Sequence, residues 1–230
     1  MKLNLSQLQT DFWSRGYTII DNLFPAELLE KWKSQVEFLS KYCKAPGINH
    51  IEKEFKDASP EARDGIGKYK FTSLDGRIIF ADDLFSGIQE YYHSISNFLS
   101  LLTGLDLVES FDKQSSISFM NYTVPGGCIA PHFDSNGVTF LLYLTDNEDG
   151  GTKILPINKL RPTILGQADE VIGEPEIILP KCGRAVIFQS RKLWHESMSV
   201  FKSNKISSVW NFYERGDNWR PKEVSDRLYS

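Results

Sequence analysis

The sequence predicts a mainly β fold with flanking helices, built around a double-stranded β-helix, the cupin-like jelly roll. Three observations predict it. About eight short strand-like runs, divided by turn residues, follow residue 115, as expected for two sheets packed face to face. The first 110 residues instead place apolar side chains at helical spacing. A length of 230 residues suits one structural domain: an auxiliary layer over 1–110 and a β core over 111–230.

Leu5 to Arg15 reads as a helix ended by Gly16, and Tyr17 to Ile20 as a short strand. Pro25 opens a second helix, where its missing N–H costs little. Leu28, Trp32, Val36 and Leu39 fall on one face of it. A third helix is predicted from Asp82 to Thr103, striped by Leu84, Ile88, Tyr91, Ile95, Phe98 and Leu102. These stripes are packing surfaces expected to buttress the outside of the larger sheet. His50 and His93 have no ligand-like neighbours in sequence.

The core strands follow in order. Ser118 to Val124 stops at Pro125-Gly126-Gly127, and residues 129–134 form the next run. Val138 to Leu144 is β-branched, aromatic and aliphatic and reads as a buried strand. Thr152 to Leu155 ends at Pro156. Ile177 to Leu179 ends at Pro180, and Ala185 to Phe188 follows a glycine turn. Trp194 to Val200 and Ile206 to Tyr213 complete the set. Two connections, 44–77 and 156–176, are rich in Gly, Pro and charge and are expected to be mobile or to face substrate. The second carries Lys159 and Arg161, suited to an anionic group, and is expected to cover the site.

The balance of 26 Lys and Arg against 30 Asp and Glu gives no basic stripe, so no nucleic-acid partner is expected. No apolar run approaches membrane-spanning length, so no membrane partner is expected either. The start lacks the apolar centre of a signal peptide. Three dispersed cysteines, Cys43, Cys128 and Cys182, form no disulfide framework, which points to the cytoplasm.

The chemistry concentrates in His132-Phe133-Asp134 and a distant His195. Alternate residues of a strand share a face, so a strand over 129–134 sets His132 and Asp134 side by side. His195 then arrives from another strand. Two imidazoles and a carboxylate on one face of a metal form the triad of non-haem Fe(II) oxygenases, which leaves three positions open. An isolated H-x-D is a weak motif; its surroundings give it weight.

Those surroundings are ordered. Tyr122 with Pro125-Gly126 precedes His132-Phe133-Asp134. Leu142-Tyr143-Leu144 and Gly150-Gly151-Thr152 follow. Pro180 to Ala185 leads to Leu193-Trp194-His195-Glu196, Lys205 stands ten residues after His195, and Glu214-Arg215-Gly216 closes the run. Over residues 115–216 the chain resembles the Fe(II)- and 2-oxoglutarate-dependent dioxygenases, in their prolyl 4-hydroxylase-like branch. The resemblance implies that His132, Asp134 and His195 bind iron and that Lys205 pairs with the C5 carboxylate of 2-oxoglutarate. It implies that Tyr143 donates to the same carboxylate and that Tyr122 lies near the other end of the co-substrate. Either tyrosine could equally be a core residue. O2 is the expected oxidant, with ascorbate a candidate reductant. Related halogenases lack the carboxylate ligand, so Asp134 argues for hydroxylation or another rebound-type oxidation.

The matched motifs serve iron and co-substrate, not substrate. A small metabolite or amino acid is the expected substrate, with a prolyl peptide as the alternative. A non-catalytic jelly-roll binding module and a zinc hydrolase remain further readings. The module has no need of a buried Lys205, and the hydrolase would want a helical histidine pair that is absent here.

Overall fold

The computed structural model describes residues 3–42, 71–81, 85, 87–155 and 174–217. Cys43, His50, Lys159, Arg161 and most of the two long connections lie outside the described residues, as does Leu84.

Helix α1 (Leu5–Arg15) starts where the Asn4 side chain accepts from Gln7 N, and ends at Gly16 in the left-handed region, φ 81°. The chain then enters β1 (Tyr17–Asp21) and α2 (Ala26–Leu39), the latter behind Pro25. β2 (Phe71–Asp75) runs into a single turn, α3 (Gly76–Ile79). α4 (Ile88–Thr103) lies between two left-handed glycines, Gly87 and Gly104. β3 (Leu107–Glu109) and the turn α5 (Lys113–Ser116) lead to β4 (Ile117–Tyr122), β5 (Gly127–His132) and β6 (Val138–Tyr143). β7 (Thr152–Leu155), β8 (Glu176–Ile178), β9 (Arg184–Phe188), β10 (Trp194–Val200) and β11 (Lys205–Glu214) complete the order.

The strands form two antiparallel sheets. The major sheet runs β1-β9-β6-β11-β4-β2, with β3 also paired to β11, and the minor sheet runs β5-β10-β7-β8. This is the jelly roll that the turn spacing predicts. Strands on both sides of residue 110 share the major sheet, because β1 and β2 form its two ends and β3 pairs with β11.

Burial on both faces explains the β-branched, aromatic and aliphatic run of β6, all six of whose residues are buried. Val138, Phe140 and Leu142 face the helices, in one core with Phe12, Trp32, Leu99, Phe119 and Trp210. Leu141 and Tyr143 face inward between the sheets, with Ile154, Ile178, Val186 and Phe188. Only the middle strands of a sandwiched sheet lack the polar alternation of a half-exposed strand.

Three details differ from the sequence reading. The buried stripe of α4 is Ile88, Tyr92, Ile95, Leu99 and Leu102. Tyr92 replaces Tyr91 because its hydroxyl donates to Asn211 O and accepts from Ser110 N, so it can be enclosed at no polar cost. On α2, Leu29 rather than Leu28 joins Trp32 and Val36 in the core. β2 falls within the connection over 44–77 expected to be mobile or to face substrate, and β3 has no counterpart in the sequence reading. Their sequences, FTSLD and LVE, are too short and too mixed to show a period.

Trp32 is fully buried and packs against Phe24, Tyr91, Phe119 and Trp210, with ring centroids 5.6, 5.7, 6.1 and 6.3 Å away. It ties α2 and α4 to the major sheet. We expect Trp32→Ala to lower unfolding stability by about 3–5 kcal/mol. Urea denaturation checks this, and a loss under about 1 kcal/mol would show that the helical layer is not coupled to the sheet through this ring.

Candidate active site

Strands β5 and β10 are neighbours in the minor sheet, and His132 and His195 are direct partners across them. Their ring centroids are 4.4 Å apart. The strand predicted over 129–134 ends at His132, so Asp134 does not reach the site by strand alternation. Instead the chain turns, and Asp134 N donates to Ser190 O at 3.1 Å. From there the carboxylate returns to the two rings. Oδ1 lies 3.4 Å from His132 Nε2 and Oδ2 3.7 Å from His195 Nε2. One ligand atom from each of the three residues falls within 4.8 Å of the others.

The protonation states favour a cation there. His195 Nδ1 stands 2.9 Å from Leu193 O, which can only accept, so Nδ1 carries the proton and Nε2 keeps its lone pair. Burial, with His132 adding to it, pushes the His195 pKa down to about 4 despite the opposing charge of Asp134. Burial alone would raise the Asp134 carboxyl. His195, His132 and a 2.8 Å bond from the Thr139 hydroxyl to Oδ2 together hold it well below the usual carboxylate range. The neutral His195 imidazole and the Asp134 carboxylate thus present open lone pairs beside the His132 ring, a donor set of two histidines and one carboxylate that fits Fe(II).

Lys205 opens β11 and is 1 % exposed. Its ammonium donates to Gly150 O at 2.6 Å and to Ser197 Oγ at 2.5 Å, and lies 4.1 Å from the centre of the Tyr122 ring. A carbonyl, a hydroxyl and a ring face are all uncharged partners. Burial accordingly pushes its pKa down to about 7. Gly150 is needed at its position: it has φ 68°, and a Cβ there would meet Val200 Cγ1 at 2.2 Å.

Tyr122 pairs with Lys205 across β4 and β11, and Tyr143 pairs with Ser207 across β6 and β11. Both rings are buried, and burial raises both hydroxyls, that of Tyr143 to about 12. The Tyr143 hydroxyl lies 2.6 Å from Thr152 Oγ1, within the minor sheet. His132, Asp134 and His195 therefore meet, Lys205 and Tyr122 meet, and Tyr143 spans the two sheets beside them. Sequence reading missed Asn136, Thr139 and Ser197, which carried no local signal; Gly150, in a DGG turn, stood in the matched motif without a role. A cavity of about 840 Å³ between α3 and α4, lined by Glu90, His93 and Glu109, includes none of these residues.

Residues 117–213, from the first residue of β4 almost to the end of β11, match the 2OG-Fe(II) oxygenase superfamily. The chain carries a 2OG-Fe(II) oxygenase domain. Its metal is Fe(II) and its co-substrate 2-oxoglutarate. The oxygenase is similar in fold to the α-ketoglutarate-dependent epimerase SnoN of nogalamycin biosynthesis. That match has a TM-score of 0.69 and 13% identity, covering 97% of this chain and 88% of SnoN. A prolyl hydroxylase from Trichoplax adhaerens gives 0.63 at 14% identity, covering 96% and 91%. A Pseudomonas putida prolyl-4-hydroxylase gives 0.58 at 15%, covering 92% and 99%. No curated protein sequence matches the chain. Among the described residues no helix is long and apolar enough to cross a membrane.

The depressed Lys205 pKa has a consequence for stability. An unfolded lysine titrates near 10.5 and the folded one near 7. Between these values the unfolded chain holds a proton here that the folded chain lacks, so stability without ligand rises with pH. Below 7 both states are charged and the full burial cost is present. We expect a rise from pH 7 to 9.5, at most about 1.4 kcal/mol per pH unit from this group. Lys205→Met should flatten it and be more stable than the parent at pH 7. Urea titrations at several pH values test this; parallel curves for the two proteins would contradict it.

Proposed function

We propose that this oxygenase hydroxylates an unactivated C–H bond of a small metabolite or amino acid, with His132, Asp134 and His195 as the Fe(II) ligands and Lys205 as the anchor of 2-oxoglutarate. Bound iron and 2-oxoglutarate supply the oxidising chemistry: O2 is consumed, 2-oxoglutarate yields succinate and CO2, and a C–H bond of the substrate is oxidised. The chain's residues supply position and exclusion of water. The single observation that carries the reading is an enclosed ammonium whose partners among the described residues are all neutral, bonded to Ser197 on β10, two residues along the strand from His195 of the three-ligand cluster. A buried cation in that condition wants a carboxylate, and the distal end of 2-oxoglutarate provides one. Tyr122 flanks the ammonium, and Tyr143, whose hydroxyl bonds Thr152 Oγ1 and Ile178 O, is the second residue we assign to the co-substrate.

Asp134 fills the third ligand place, which favours hydroxylation over halogen transfer. The likeness to an epimerase acting in nogalamycin biosynthesis supports a small molecule as substrate. The likeness to prolyl hydroxylases supports a prolyl peptide as the second reading. Among the described residues Cys128 and Cys182 form no disulfide, which suits a reducing compartment such as the cytoplasm.

The protein should bind one Fe(II) per chain and release succinate slowly from 2-oxoglutarate without substrate. His132→Ala should abolish both, and unchanged iron content would refute the ligand assignment. Lys205→Ala should weaken 2-oxoglutarate binding by about a hundredfold or more, the scale of breaking a buried charge pair, with metal binding intact. A change under about threefold in a calorimetric titration would remove Lys205 from the co-substrate site.

A further inference from the structure

The Asp134 carboxylate is steered by two residues that no ligand motif includes. Thr139 lies on β6 of the major sheet and is 1 % exposed. Its hydroxyl is 2.8 Å from Asp134 Oδ2 and 2.8 Å from Asn136 Nδ2. Asn136 is equally buried, and its Nδ2 also lies 2.8 Å from Val138 O and 3.1 Å from Ser190 Oγ.

The direction of each hydrogen follows from these contacts. Val138 O can only accept, so the atom facing it must be the amide nitrogen; turning the amide over would set two acceptors against each other. The cost of the chosen orientation is visible, since Asn136 Oδ1 is buried without a partner among the described residues. An amide nitrogen cannot accept, so the single Thr139 hydrogen is not used toward Asn136. It goes to Asp134 Oδ2. Ser190 closes the ring, for its hydroxyl donates to Asn136 O at 2.8 Å and its carbonyl accepts from Asp134 N at 3.1 Å. Ser190 lies in the turn that leads to His195.

We propose that Asn136 and Thr139 form a donor relay that engages Oδ2 of Asp134 and so limits the carboxylate to one-oxygen ligation through Oδ1. A carboxylate free to chelate with both oxygens would take up one of the positions that 2-oxoglutarate and O2 need. The relay also explains how an aspartate beyond the end of its strand is held to the cluster, since β6 grips the carboxylate and the turn before β10 grips its backbone. Both are positioning residues. The inference rests on the metal assignment above.

The test uses Co(II) as probe in Thr139→Val, Thr139→Ala and Thr139→Ser. Valine keeps the shape without the hydroxyl, alanine covers the case in which valine does not fold, and serine restores the donor. Affinity is read by calorimetry and coordination by the visible Co(II) spectrum, alongside circular dichroism of the metal-free proteins. We expect valine and alanine to weaken Co(II) about ten- to a hundredfold, the usual scale for losing an outer partner of a ligand, and to change the spectrum. They should also weaken 2-oxoglutarate binding to the Co(II)-loaded protein, and serine should restore all three readings. Parental affinity and spectrum in both variants would overturn the relay. So would a serine variant as impaired as alanine, because volume rather than the hydroxyl would then be responsible. Absence of Co(II) binding by the parent, or its retention by His132→Ala, would sink the metal assignment itself and the relay with it.

Discussion

Enclosing two imidazoles, a carboxylate and an ammonium between two apolar sheets is the constraint around which this molecule is arranged. Each buried polar group needs a partner, and each partner must come from an element already fixed by packing. His195 is turned by Leu193 O, Asp134 by Thr139 and Lys205 by Gly150 O and Ser197. Thr139 is fixed in turn by β6, whose other face lies in the helix-backed core. β6 shows the economy of this arrangement. Phe140 and Leu142 pack outward against the helices while Thr139 and Tyr143 present hydroxyls to the interior.

The sheet architecture was readable in the sequence because its middle strands are sandwiched. β6 and β9 are runs of β-branched, aromatic and aliphatic residues with turn residues at both ends. The three ligand residues were readable too, from a short motif and a distant histidine in ordered surroundings. The route to Asp134 was not. Strand alternation gave the right residue by the wrong geometry, because the chain leaves β5 after His132 and returns through a bond to Ser190, 56 residues away in sequence. Asn136 and Thr139 were invisible for the same reason. An asparagine in a turn and a threonine in a strand are ordinary residues until the fold brings the turn over the strand.

The helical layer was legible in outline and wrong in phase. On α4 the sequence favours Tyr91 by hydrophobic spacing, whereas the fold buries Tyr92 because Asn211 O and Ser110 N are available to its hydroxyl. Tyr91 still packs at the margin, against Phe24 and Trp32. Such a choice is made by tertiary hydrogen bonding, which no periodicity contains.

Charge balance connects the site's two ends. Before loading, the chamber holds the anion of Asp134 and a lysine poised to lose its proton near neutrality. In the proposed assignment, loading adds the two positive charges of Fe(II) and the two negative charges of 2-oxoglutarate. With Asp134 and a protonated Lys205 these cancel, so the filled chamber is neutral although every member is ionic. Metal alone would leave excess positive charge, which further discourages protonation of Lys205. 2-Oxoglutarate alone would crowd its keto acid against the Asp134 carboxylate. Each ligand therefore relieves a charge that the other would leave uncompensated, and the low dielectric of the sandwich makes that coupling stronger than it would be at a surface. Binding order and mutual affinity in this oxygenase should then be governed less by contact area than by which charge is already in place. Asp134, in the turn after β5, and Lys205, at the start of β11, are the fixed points of that balance.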